Sequence, residues 1–215
     1  MNKLITIACI ASLSLSTSLP AMNEGHRQRL DRTLIKAGAS GDLQKIQKLI
    51  RQGATIDAIN IKDKWTALMQ AAYNGHQNCA RALIKAGVTV DQTDEYECTA
   101  LMWAAAKGHE KCVSTLLGAG AKIHQEDNQG CTAMMHAAKF GHTKCVSILI
   151  DAGANYHRAD KNGCSGLMHA AANGNPECVS LLIDMKANLY KADNGNRTAL
   201  MRAADHKHKK KYAKY

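Results

Sequence analysis

Aromatic residues make up only 4% of the 215 positions, with one Phe and two Trp among them. A chain this poor in rings must build its interior from Ala, Leu and Gly at close approach. No glycine-rich phosphate loop, Gly-x-Ser-x-Gly elbow or His-Glu-x-x-His pair is present, and the carboxylates form no paired constellation. Nothing therefore points to catalysis. Positive charge is not a general property either. The formal charge is +10, but Met201–Tyr215 alone holds six Lys/Arg against one Asp. The long middle is too weakly basic to argue for nucleic-acid binding by the body of the protein. This length fits one ordinary domain or one compact array.

The N-terminus, MNKLITIACIASLSLSTSLPAMNEG, has Lys3, an apolar stretch from Leu4 to about Leu15, and small and polar residues ending near Ala21. This is the order of a secretory signal peptide, expected over residues 1–21. The apolar run is too short to span a bilayer. Cys9 sits too early in that run to read as a lipoprotein cysteine. The leader implies export from a bacterium, to the periplasm or beyond it, and no transmembrane segment after its removal.

What the sequence has in abundance is itself. TALM occurs at Thr66–Met69, Thr99–Met102 and Thr198–Met201, with TAMM at Thr132–Met135 and SGLM at Ser165–Met168. The starts are 33 residues apart throughout. Gly-His recurs at Gly75-His76, Gly108-His109 and Gly141-His142 and becomes Gly174-Asn175; an aspartate column runs through Asp94, Asp127, Asp160 and Asp193. Strict self-similarity at this period means one supersecondary unit stacked on copies of itself. Within a unit, Thr or Ser before an apolar run signals a helix start. ALMWAAAK then predicts a short helix packed through Leu101, Ala104 and Ala105, and Gly108 breaks it. KCVSTLLGAG predicts a second helix with Val113, Leu116 and Leu117 inward, and Gly120 stands where a left-handed stop belongs. The polar KIHQEDNQG suits an extended finger with a tight turn, and its aspartate reads as a turn former.

These motifs resemble the ankyrin-repeat family, whose usual unit carries T-P-L-H-x-A-A, then G-H, then a V-V-x-L-L-L helix ending in G-A. The resemblance covers roughly Thr33 to Asp205. It implies an all-α repeat solenoid of stacked helix-turn-helix units with β-turn fingers. Thr-Ala-Leu-Met replaces the family's Thr-Pro-Leu-His, so the inter-repeat hydrogen bonds of that histidine are not expected. The expected organisation is a degenerate N-terminal capping repeat at 31–62 and full repeats at 63–95, 96–128, 129–161 and 162–194. A truncated repeat at 195–205 and a basic tail at 206–215 follow. The tail, with His206-Lys207-His208-Lys209-Lys210-Lys211, has three readings: a nucleic-acid or import patch, a contact for an acidic surface, or a solvated polar end. The last is favoured, since an array needs a polar end.

Seven cysteines follow Cys9 in two columns. Cys79, Cys112, Cys145 and Cys178 start second helices and read as small buried hydrophobes. Cys98, Cys131 and Cys164 precede first helices and are expected to be more exposed and open to modification. Disulfides are not expected, because packed helices lie about 8–10 Å apart while bridging needs Cα atoms within about 7 Å. The His76/Cys79, His109/Cys112 and His142/Cys145 pairs each offer two ligands where zinc takes four. In the family resembled, that histidine caps the turn by bonding backbone. No metal, cofactor or small-molecule substrate is therefore expected.

A solenoid of this type binds through the groove of its fingers and first helices, and residues not fixed by the repeat carry partner choice. One helical position gives Gln70, Trp103, His136, His169 and Arg202; four residues on it gives Asn74, Lys107, Phe140, Asn173 and His206. Positions i and i+4 share a helix face. Hot spots favour Trp, Tyr and Arg, which points to a patch at Trp65, Tyr73, Tyr96, Trp103 and Phe140. Gln70, Lys107, His136, His169 and Asn173 complete the expected surface. His136 and His169 would make binding pH-sensitive where a contact involves them. The expectation is a monomeric, non-catalytic module whose partner is another protein. The alternative is an architectural protein that uses its array ends and basic tail.

Overall fold

The computed structural model describes residues 23–212, and side chains as far as 205. The signal-peptide expectation for residues 1–21 lies outside the described residues. Among the described residues there are eleven α-helices and no strands. First helices are α1 (Glu24–Ser40), α3 (Ala67–Tyr73), α5 (Ala100–Ala106), α7 (Ala133–Phe140), α9 (Gly166–Asn173) and α11 (Ala199–Tyr212). Second helices are α2 (Leu43–Arg51), α4 (Gln77–Lys85), α6 (Glu110–Gly118), α8 (Thr143–Asp151) and α10 (Pro176–Asp184). Each first helix packs on the next first helix and on its own second helix, and the second helices form a parallel row. No described helix is long and apolar enough to cross a membrane.

Local chemistry explains the starts of α3 and α5. Thr66 Oγ1 accepts from Met69 N at 3.1 Å, and Thr99 Oγ1 from Met102 N at 3.3 Å. The methionine sulfurs reach back: Met69 Sδ lies 3.5 Å from Thr66 N and Met102 Sδ 3.4 Å from Thr99 N. The thioether thus does the job of the glutamate in a capping box, through a weaker acceptor. Met therefore closes a bond within its own unit at the position where the family carries histidine.

The inter-repeat bonds come from elsewhere. His76 Nε2 lies 3.1 Å from Ala39 O, His109 Nε2 2.9 Å from Tyr73 O, and His142 Nε2 3.0 Å from Ala106 O. Each imidazole also lies over the glycine of the preceding unit. A Cβ on Gly41, Gly75 or Gly108 would meet the ring of His76, His109 or His142 at 2.5–2.6 Å. Asn175 takes over where the histidine is missing, bonding Ala138 O and Lys139 O at 3.0 and 2.8 Å. Fingers are tied one to the next by Glu95 N→Asp63 O, Asn128 N→Tyr96 O, Lys161 N→Gln129 O and Asn194 N→Asn162 O.

The core is a continuous ribbon of Ala, Leu and Met between the two helix rows, with Leu34, Leu68, Leu101, Met134 and Leu167 at most 1–2% exposed. Fully burying one such side chain is worth about 1.5–3 kcal/mol. Of the residues expected inward, Val113 and Leu116 are completely buried, while Leu117 is partly exposed against the same core. At the two ends, helices run past the expected boundaries. Helix α1 begins at Glu24, with the Asn23 side chain accepting from Gly25 N, and α11 continues without a break from Ala199 through the start of the basic tail to Tyr212.

Two glycines separate space from backbone. A Cβ on Gly38 would sit 2.4 Å from Ala67 O, a backbone atom of the next unit, whereas one on Gly118 would meet nothing within 4 Å. Gly118→Ala is expected to stabilise the array by about 0.5–1 kcal/mol. Gly38→Ala is expected to destabilise it by about 1–3 kcal/mol as an overpacked contact. Urea unfolding of the two variants side by side checks both signs.

Candidate functional site

The finger aspartates organise the groove. Asp94 Oδ1 accepts Tyr96 N and Cys98 N at 2.9 Å each; Asp127 Oδ1 accepts Gln129 N and Cys131 N at 2.8 Å; Asp160 Oδ1 accepts Asn162 N and Cys164 N; Asp193 Oδ1 accepts Gly195 N and Arg197 N. The turn-forming role holds, and one oxygen performs it. The other oxygen takes a donor from the first helix nine residues on. Trp103 Nε1 donates to Asp94 Oδ2 at 2.9 Å, and Arg202 Nε donates to Asp193 Oδ2 at 2.8 Å. His136 Nε2 and His169 Nε2 lie 2.8 Å from Asp127 Oδ2 and Asp160 Oδ2. All four aspartates are buried, so an unpaired oxygen there would be costly. Sequence reasoning placed Trp103, His136 and His169 on the free face of the helix. The structure gives them this structural bond as well, and leaves each half-buried. The signal was available: an N–H donor stands nine residues after every Asp of the column.

Three of the expected aromatics come together. Trp65, from the first finger, lies 5.2 Å from Tyr73 and 4.8 Å from Trp103 between ring centroids, and Tyr73 lies 5.6 Å from Trp103. Edge and tilted contacts of this kind are favourable between rings. Lys107 Nζ stands 4.4 Å over the Tyr73 ring, a cation–π contact at the solvent boundary. Tyr96 and Phe140 are 53% and 54% exposed, which for rings of that size marks available contact area. Lys139 Nζ stands 5.7 Å from the Phe140 ring. Gln70 is half-buried; Lys107 and Asn173 are exposed, with Asn173 Nδ2 donating to His169 O at 2.8 Å.

The cysteine columns differ from expectation in one respect. Cys79, Cys112, Cys145 and Cys178 are buried, as a packed helix face requires. Cys98, Cys131 and Cys164 are buried too, at 6%, 8% and 3% exposure, which corrects the reading of them as accessible thiols. The next finger folds over the first two: Cys98 Sγ lies 3.9 Å from Asp127 Oδ2 and Cys131 Sγ 3.8 Å from Asp160 Oδ2. Burial, then the nearby carboxylates, push the Cys98 and Cys131 thiols up to about 12. Burial alone carries most of the rise of Cys112 and Cys145 to about 11. A thiol held this high is not a nucleophile near neutrality. All seven described cysteines are free.

Electrostatics along the groove follow the donor. Burial works to raise the Asp127 carboxyl, but hydrogen bonds from His136 and from the N–H groups of Cys131 and Gln129 outweigh it, leaving it below the usual range. Burial pushes His169 down against the opposing pull of Asp160. At the C-terminal end, the Arg197 N–H is the leading cause that brings Asp193 down from 3.8 to about 2, with Arg202 and the Gly195 N–H assisting against burial.

A model of ankyrin repeats in three copies matches residues 34–127 and 134–215. The chain belongs to the ankyrin-repeat family. No curated protein matches it. Ankyrin repeats generally serve as protein–protein interaction modules and are typically non-enzymatic.

The lowered Asp193 carboxyl has a definite pH consequence. Its folded value, about 2, lies below its unfolded value near 3.8, so its contribution to stability is complete above the unfolded value and is lost as pH falls toward the folded one. Asp193→Asn is expected to loosen the C-terminal unit at neutral pH and to flatten the acid loss between these two values. Amide exchange in α9 and α11, followed across that range, checks it.

Proposed function

We propose that this ankyrin array is an exported, non-catalytic module that binds another protein through the groove of its fingers and first helices. The observation that carries the reading is the aromatic run of the first three full units. Trp65, Tyr73 and Trp103 pack as one cluster with Lys107 over it, and Tyr96 and Phe140 are each about half exposed. The cluster holds its rings in place before a partner arrives, which lowers the entropy cost of binding. The exposed rings then supply contact area of the type that dominates interfaces. The module acts as a monomer and needs no small-molecule substrate or nucleic acid.

A second reading is supported at the C-terminal end. Leu200 is 80% exposed and Met201 53% on α11, the helix that continues into the basic residues. An architectural protein would present such an end to a larger assembly.

Because Trp103 bonds Asp94, its truncation would disturb the finger as well as the surface. Tyr96→Ala/Phe140→Ala is the cleaner variant. Affinity capture from the producing organism and its host, with partners identified by mass spectrometry, should lose the specific partner in this variant while the melting temperature holds. The expected loss is about 2 kcal/mol or more per hot-spot ring, roughly 30-fold in Kd each. A partner kept by this variant and lost when residues 206–215 are deleted would favour the architectural reading instead.

Export rests on the lysine, apolar and small-residue order of residues 1–21. N-terminal sequencing of the protein recovered outside the cytoplasm should read from Met22. Recovery of an intact Met1 chain in the cytoplasm alone would remove export from the reading.

A further inference from the structure

Four equivalent constellations recur along the groove, each made of the residue before a first helix, the aspartate of the following finger and the donor on the following first helix. Their members are Trp65/Asp94/Trp103, Cys98/Asp127/His136, Cys131/Asp160/His169 and Cys164/Asp193/Arg202. Only the middle two combine a thiol, a carboxylate and an imidazole. We propose that Cys98/Asp127/His136 and Cys131/Asp160/His169 are two equivalent binding sites for a divalent ion of the zinc class. The inference goes beyond the protein-binding reading and does not rest on it.

The geometry fits. In both sets the sulfur, the carboxylate oxygen and the imidazole nitrogen lie within 4.8 Å of one another. In the second set Nε2–Oδ2 is 2.8 Å, Sγ–Oδ2 3.8 Å and Sγ–Nε2 4.0 Å. Around a tetrahedral zinc with bonds of about 2.0–2.3 Å, ligand atoms stand about 3.3–3.7 Å apart. The nitrogen and oxygen need only part by about half an ångström and the sulfur draw in by less, the scale of a small side-chain adjustment. A thiolate, an imidazole and a carboxylate are the ligand types zinc accepts, and three protein ligands leave a fourth position open. The outer shell is already built. Asp127 Oδ1 and Asp160 Oδ1 each hold two backbone N–H groups, which fixes the carboxylate and leaves Oδ2 for the ion.

The same arrangement argues against a catalytic triad. A relay needs the nucleophile at one imidazole nitrogen and the carboxylate at the other. At His169 the sulfur and the carboxylate both face Nε2. Three ligand-type atoms gathered within 4.8 Å of one another suit a shared cation. On binding, the thiol gives its proton to solvent and the imidazole moves its own from Nε2 to Nδ1, so one proton leaves per ion. A hollow of about 320 Å³ is lined by Asp160 and His169 of the second set together with Cys164, Asp193 and Arg202 of the last unit. The side chains of His136 and His169 keep 17% and 15% exposure.

The flanking units act as internal controls. Trp103 has no lone pair to offer, and in the last unit the Arg202 guanidinium already occupies the position beside Asp193 where an ion would sit. The Gly-His histidines are committed elsewhere, each with Nε2 on a carbonyl of the preceding unit. Each proposed ion would join residues of two successive repeats, with Cys98 before α5 and His136 on α7, then Cys131 before α7 and His169 on α9.

The test is cobalt(II) substitution of the full chain after chelator treatment, with zinc as competitor. Two equivalents of cobalt should bind per chain with a thiolate-to-cobalt charge-transfer band, zinc should abolish the band, and zinc should raise the melting temperature. Cys98→Ser should bind one equivalent, and Cys98→Ser/Cys131→Ser should lose the band. His136→Gln/His169→Gln guards against misfolding, since a glutamine side-chain N–H can still donate to the buried aspartate. It should keep the fold and lose affinity by more than the roughly 100-fold typical of an outer-shell change. Cys164→Ala should keep both ions. Absence of the band in the wild-type chain overturns the proposal and leaves the histidines as plain donors to their aspartates. So does a band of undiminished strength in either double variant.

Discussion

A planar polar side chain resting on a glycine, an imidazole three times and an amide once, sets the register of four successive junctions. The capping unit and the first two full units each present a left-handed glycine with no side chain, and the next unit lays a ring into that space while bonding a carbonyl of the helix just before it. Glycine is required there twice over, for its positive φ and for the missing Cβ. With that contact fixed, successive first helices must approach closely, which is why the facing residues are alanines. The fingers then fall into line and bond one another through their backbones. Asn175 shows that the contact needs a planar polar group of this reach and not an imidazole as such.

The aspartate column divides constancy from variety in one side chain. One oxygen closes the finger in each of the four units that carry the aspartate, and the other accepts whatever donor the next first helix supplies. An indole, two imidazoles and a guanidinium all satisfy it, although they differ in charge, size and chemistry. The groove can therefore change character from unit to unit at no cost to the fold. It runs from aromatic at the N-terminal side, through the two thiol–imidazole sets, to a fixed positive charge at the C-terminal side.

The fold was legible in the sequence because its determinants are local and repeated. Helix starts, left-handed stops and the apolar face of each second helix all sit within one unit, and the burial of Cys112 follows from its place on that face. The Cys98 column was misjudged because its cover comes from another unit: Asp127 lies 29 residues away, on a finger that by itself reads as solvent-exposed. The aromatic cluster was visible as separate columns, but the meeting of Trp65, Tyr73 and Trp103 depends on rotamers across two repeats. The second role of the aspartates was hidden by a sufficient first one, since a turn former asks for no further explanation.

The histidine lock also gives the stack a direction. The ring always belongs to the later unit and the glycine and carbonyl to the earlier one, so the two ends of the array are chemically unlike and no unit can be inverted. Three successive junctions nevertheless use the same few atoms. A unit copied between two others would find its acceptor before it and its donor after it already in place. The length of such an array is thus open to change by duplication, whereas its polarity is not, and any surface recorded along it is read in one order.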